Sequence, residues 1–200
     1  MVMNLALNEI ELPVRLRLDR PMTDAEFMRF CAANEPMRFE RDAKGEILVM
    51  SPGGFSTSVM NSRITTLLRQ WAEADGRGVA TGPDGGYTLP DSSVRAPDAA
   101  WVSMKKVKSL SEEEKARFAP VCPDFVIELR SPSDRLPDLE AKMEQWISNG
   151  VAVGWLIDPK EKSVTIYRPG EQPELLAQPT SVQGTGPIAG FELVLARIWE

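Results

Sequence analysis

The chain has 200 residues, 42% of them apolar and 26% charged, a composition that suits a globular protein able to fold without disulfide staples. It contains no histidine, which excludes Ser-His-Asp and Cys-His triads, HExxH metalloproteases and every His-ligated zinc site; its two cysteines, Cys31 and Cys122, lie far apart and outside any C-x-x-C spacing, which excludes a zinc ribbon and a thioredoxin-type pair. A net charge of −6 runs against a free-standing nucleic-acid binder, so contact with phosphate needs cations gathered on one face or a bound divalent ion that offsets carboxylates.

Residues 1–20 read as a lead-in and 21–200 as a single domain, with no internal repeat. The N-terminus, MVMNLALNEIEL, lacks the basic and apolar regions of a signal peptide, and no apolar run approaches the roughly 20 residues of a membrane span, so a cytoplasmic protein without membrane contact is expected. VRLRLD (14–19) alternates as a short strand does. Thr23 stands three residues before Glu26, the spacing of a capping box, and Phe27, Phe30 and Cys31 make an apolar stripe; a helix ending near Asn34 follows. MRFE (37–40) and EILVM (46–50), joined by a short loop that ends in Gly45, predict a hairpin. Ser51-Pro52-Gly53-Gly54 breaks its second strand. Ser56 to Ala74 then reads as a long helix with Val59, Met60, Ile64, Leu67, Leu68 and Trp71 on its apolar side.

Short strands follow at VAT (79–81), YTL (87–89) and DAAWVS (98–103), then a short capped helix over Ser111 to Arg117. DFVIEL (124–129) is an almost continuous apolar run, typical of a strand covered on both faces. Asp138 to Asn149 is a helix with Leu139, Met143, Trp146 and Ile147 on one side, and VGWLID (153–158) and SVTIYR (163–168) form a strand and its hairpin partner. The tail ends in a short strand or helix around Phe191 to Trp199. This order predicts an α/β fold, a mixed central sheet flanked by helices.

Without histidine, any catalysis falls to carboxylates, lysines, arginines and hydroxyls. Glu128 is the odd residue in FVIEL; an unpaired carboxylate costs several kcal/mol to bury, so it must face a cleft, pair with a cation or ligate a metal. Arg130, two residues on, projects to the same face. Asp98, after Pro97 at the start of a strand, is the partner carboxylate, and an oxygen-lined site of this kind suits Mg²⁺ or Mn²⁺. Each residue also has a plain structural reading: Asp98 as a strand start, Glu128 with Arg130 as an ion pair, and Lys142 paired with Asp138 across one helical turn. Lys105, Lys106 and Lys108 form the best basic cluster and read as a solvated loop. Asp124, the second acid after a proline, reads as structural.

Pro97-Asp98, followed after 29 residues by Glu128-Leu129-Arg130, resembles the signature of the PD-(D/E)XK, restriction-endonuclease-like superfamily. PDFVIELRSPSD (123–134), D-L-x-x-K (138–142), NGV (149–151), GWLIDP (154–159) and VTIYRPG (164–170), with the hairpin block FERDAKGEILVMSP (39–52) and PDAAWVS (97–103), resemble the Uma-two family of "putative restriction endonucleases" over roughly residues 21 to 199. The resemblance implies a restriction-endonuclease-like fold and a Mg²⁺- or Mn²⁺-dependent endonuclease acting on DNA, working as a homodimer because duplex cleavage needs two sites. Residue by residue, it makes Asp98 and Glu128 metal ligands and adds Glu40 or Glu46 as a further carboxylate. Arg130 occupies the position of the superfamily's catalytic lysine, which departs from the pattern, since a guanidinium cannot act as a base; Lys142 is the candidate replacement. The resemblance also implies, for many relatives, a histidine or acid at the start of the long helix, where this chain has Gly53 to Ser58. These departures support an alternative, a catalytically weak or inactive module that binds nucleic acid or a protein partner. A hydrolase of a smaller phosphate ester would use the same metal site.

Overall fold

The computed structural model describes residues 13–50 and 53–199. The first half of the chain forms β1 (Val14–Leu16), α1 (Asp24–Ala33), β2 (Arg38–Arg41), β3 (Ile47–Met50), α2 (Phe55–Asp75), β4 (Gly78–Thr81), β5 (Tyr87–Thr88), β6 (Val94–Arg95) and β7 (Ala99–Ser103). The second half forms α3 (Met104–Ser109), α4 (Glu112–Lys115), β8 (Phe125–Leu129), α5 (Leu136–Ser148), β9 (Val153–Asp158), β10 (Ser163–Tyr167), β11 (Glu174–Ala177), β12 (Ser181–Gln183) and β13 (Glu192–Val194).

The main sheet has the order β11-β10-β9-β8-β7-β4. β8 and β9 run parallel, from Phe125 opposite Val153 to Leu129 opposite Ile157, while the other neighbours are antiparallel. A parallel pair needs a crossover, and α5 provides it. Every residue of β8 and β9 is buried because both faces are covered. On one face Phe125, Ile127, Leu129 and Trp155 pack against Ile64, Leu68 and Ala72 of α2 and against Phe191, Leu193 and Leu195 of the tail. On the other, Val126 and Leu156 pack against Met143 and Trp146 of α5. This is the expected mixed sheet between helices.

A second, wholly antiparallel sheet has the order β1-β3-β2-β6-β5. It contains the expected hairpin, with Arg38 opposite Met50 and Arg41 opposite Ile47. Asp42 Oδ1 accepts from the N–H groups of Lys44 and Glu46, and Gly45, at φ 84°, takes the left-handed conformation that the turn needs. Phe27, Phe30, Phe39, Ile47, Val49 and Val94 form its core under α1. The α1 capping box is present: Thr23 Oγ1 accepts from Glu26 N, and Glu26 Oε2 accepts from Thr23 N at 2.9 Å. β6 ends at Arg95 and β7 starts at Ala99, so the chain passes from one sheet to the other through Ala96-Pro97-Asp98.

The sequence patterns miss β6, β11, β12 and α3; the Lys105–Lys108 segment is a short helix rather than a loop. The reading of residues 1–12 and of Ser51-Pro52 falls outside the described residues. Among the described residues, no helix is long and apolar enough to cross a membrane.

Candidate active site

Strand alternation places Glu128 beside Val126 on the α5 face of the main sheet. On α5, Lys142 and Trp146 are four residues apart and therefore share one side of the helix. Both reach Glu128: Lys142 Nζ lies 2.9 Å from Oε1 and 3.0 Å from Oε2, and Trp146 Nε1 donates to Oε1 at 2.8 Å. Glu40 arrives from β2 of the other sheet, its Oε1 2.8 Å from the same ammonium. Lys142 also donates to the Ala96 carbonyl at 3.2 Å. Glu40 is completed by Arg95 Nη1, donating to Oε2 at 2.8 Å, and by Ala96 N, donating to Oε1 at 3.1 Å. Arg95 Nε in turn donates to Gln145 Oε1 at 2.8 Å, which ties β6 to α5. Asp98 stands at the crossing between the sheets, where Oδ2 accepts from Leu129 N at 2.8 Å and Oδ1 from Asn61 Nδ2 at 2.7 Å.

The cluster holds three carboxylates, from Glu40, Asp98 and Glu128, against two cations, Lys142 and Arg95. Its members are well shielded: the side chains of Lys142, Glu40 and Glu128 are 11%, 2% and 4% exposed. Burial pushes the Glu128 carboxyl up to about 7; Lys142 opposes this, and the Asp98 and Glu40 charges add to it. Burial also raises Asp98, with the Leu129 N–H working the other way. For Glu40 burial is outweighed by Lys142 and Arg95, which hold its carboxyl below the usual range. For Lys142 burial disfavours the ammonium, yet Glu128 and Glu40 together hold its pKa above that of a free lysine. Lys142 is therefore a fixed positive charge at neutral pH, and Glu128 is the acid with too little compensation.

These groups line a cleft of about 1310 Å³ that takes in both sheets, the start of α2 at Gly53 and Gly54, and the loop at Ser131 to Asp134. Among the described residues, no three His, Cys, Asp or Glu side chains stand close enough to hold a metal ion between them. The donor chemistry nonetheless fits Mg²⁺ or Mn²⁺: such ions take one or two carboxylates and complete their shell with water, and the cluster carries one more carboxylate than cation. Asp98 and Glu128 are the residues that could hold it.

The structure thus brings Asp98, Glu128, Lys142 and Glu40 to one place. Arg130 does project to the Glu128 face, but its Nη1 donates to Asp158 Oδ2 at 2.6 Å. Asp158 Oδ1 is itself engaged by the N–H groups of Lys160 and Glu161. Glu46 sits at the hairpin end, 2.6 Å from Arg17 Nε. Lys142 turns to Glu40 and Glu128 rather than to Asp138, because two buried carboxylates attract it more strongly than one exposed acid. Asp124 has the structural role expected, accepting from Ser103 N at 2.8 Å and pairing with Lys106 at 2.9 Å. That pair, and with it the lysine cluster of α3, lies at the end of β7 opposite Asp98. Sequence reasoning misses three partners: Trp146, read as core; Arg95, three residues before Asp98; and Asn61, a lone amide four residues from Thr57 on the inward stripe of α2.

The chain matches the family described as "Uma2: Putative restriction endonuclease" over residues 24–196. Among solved structures it is similar to a protein from Anabaena variabilis described as a "putative nuclease belonging to DUF820", with 20% identity, a TM-score of 0.73, and coverage of 90% of this chain and 98% of that one. No curated protein matches the chain.

Proposed function

Because the chain belongs to the Uma2 family, whose model covers most of its length, we propose that it is a Mg²⁺- or Mn²⁺-dependent endonuclease that hydrolyses DNA phosphodiester bonds in the cleft between its six-stranded and five-stranded sheets. The observation that carries this reading is the buried Lys142 ammonium, 2.8 to 3.0 Å from Glu40 and Glu128 in a cleft that Asp98 also lines. Asp98 and Glu128 would hold the ion, which when bound supplies Lewis-acid charge to the phosphate and acidifies a bound water.

The remaining roles belong to the chain's own side chains. Lys142 offers a preorganised positive charge to the phosphate oxygen on which negative charge develops, and it gives this without reorganisation because Glu40 and the Ala96 carbonyl already hold it in place. The same acids keep it protonated, so it stabilises charge and does not act as a base. Arg95 and Trp146 position Glu40 and Glu128. Cutting both strands of a duplex needs two such sites, and a homodimer would supply them.

The test is nicking of supercoiled plasmid with Mg²⁺ or Mn²⁺. Wild type is expected to nick. Asp98→Asn, Glu128→Gln and Lys142→Met are expected to lose roughly 10²-fold or more, the usual effect of removing one preorganised stabilising group. Unchanged cleavage in the first two variants would overturn the assignment. The second reading, an inactive binding module, is favoured by Arg130, which stands at the superfamily's lysine position with a guanidinium that cannot release a proton and is turned to Asp158. A folded wild type that binds DNA and cuts none would establish that reading.

A further inference from the structure

Asn61 donates from Nδ2 to Asp98 Oδ1 at 2.7 Å, and its own Oδ1 is buried with no hydrogen-bond partner among the described residues. Turning the amide round does not cure this, because the flip would set one oxygen against another and take away the donor to Asp98 Oδ1. A buried acceptor left unpaired loses its hydration without compensation. Such an atom calls for an explanation, and a missing water or ion is among the usual ones. Its surroundings narrow the choice. Asn61 lines the same cleft as Asp98 and Glu128, beside a cluster already short of positive charge.

We propose that Asn61 is a positioning residue for the divalent ion. Nδ2 fixes the rotation of the Asp98 carboxylate, and Oδ1 accepts a hydrogen bond from a water in the ion's shell. This rests on the reading of Asp98 and Glu128 as metal ligands and extends it to α2.

The experiment is a calorimetric titration of the full chain with Mn²⁺, backed by thermal melts with and without the ion, for wild type, Asn61→Ala and Asn61→Asp. Loss of a group that orients a metal ligand typically weakens metal affinity about 10–100-fold, and Asn61→Ala is expected to fall in that range. Asn61→Asp places a second carboxylate beside Asp98. Its melting temperature should fall below wild type without metal, and Mn²⁺ should raise it by more than it raises wild type. Lower metal-free melting temperatures in both variants, with Mn²⁺ affinity and Mn²⁺-induced shift at wild-type values, would reduce Asn61 to a structural residue and overturn the proposal. Should Asn61→Ala fail to fold, the response of Asn61→Asp decides alone. Wild type that binds no Mn²⁺ would remove the metal reading itself, and this proposal with it.

Discussion

One ammonium serves two buried carboxylates at Lys142, and that arithmetic has measurable consequences. Removing one partner of a buried charge group costs about 3–5 kcal/mol, since the other is left uncompensated. Lys142→Met is expected to lose stability of that order in urea unfolding with EDTA present, and Lys142→Met combined with Glu128→Gln should regain part of it. A penalty below about 1 kcal/mol for the single variant would mean that the ammonium is not buried against these acids. Glu128 makes the same point through pH. Its carboxyl is pushed up to about 7, first by burial, against about 4.3 for a free glutamate. The native state therefore binds this proton more tightly than the unfolded chain does. The stability so gained is complete below about pH 4.3 and disappears as pH rises through about 7. Metal-free Glu128→Gln should thus melt above wild type at pH 8, with the gap closing toward pH 5; a gap independent of pH would contradict the shift. At this scale legibility depended on contrast. Glu128 stood out because its neighbours are apolar, whereas Trp146 and Asn61 lay in stripes where a ring or a small amide needs no special explanation.

Several of the elements that position the site carry long or strongly marked sequence signals. The β8 run, α5 and the β9 run were all readable, because a strand buried on both faces and an amphipathic helix each impose a composition over many residues. β6 was not, since two residues, Val94 and Arg95, carry no period at all, and its partners are Arg41 of β2 on one side and Tyr87 and Thr88 of β5 on the other. Two glycines show how closely these elements approach. A Cβ on Gly78 would stand 2.3 Å from the Trp101 ring and 2.5 Å from the Val102 carbonyl, whereas on Gly154 the nearest atom, at 2.4 Å, is the flexible end of Met143. Overpacking costs typically about 1–3 kcal/mol. Gly78→Ala is expected at or above the top of that range and Gly154→Ala near the bottom, as read from paired denaturation curves. Equal losses would mean that α5 yields no more readily than β7.

For the whole molecule, charge decides how a polyanion is met. Of the cleft-lining cations among the described residues, Arg15, Arg38, Arg95 and Lys142 are paired with acids, which leaves Lys44 and Arg135. About two released counterions give a log–log slope of affinity against salt near −2. Titrating the Glu128→Gln variant with a duplex oligonucleotide at several salt concentrations measures it, and a slope steeper than about −5 would place DNA on another, more basic surface. The main sheet was legible as a whole; the separateness of the second sheet was not, because a hairpin pattern says nothing about which sheet receives it. That second sheet brings one further consequence. Glu40 belongs to the first quarter of the chain and Lys142 to the third, and they touch only once the two sheets have docked. Whatever chemistry Lys142 performs, its orientation depends on that contact between the sheets, so a copy in which the second sheet is not seated leaves the ammonium without Glu40 and disarms the site.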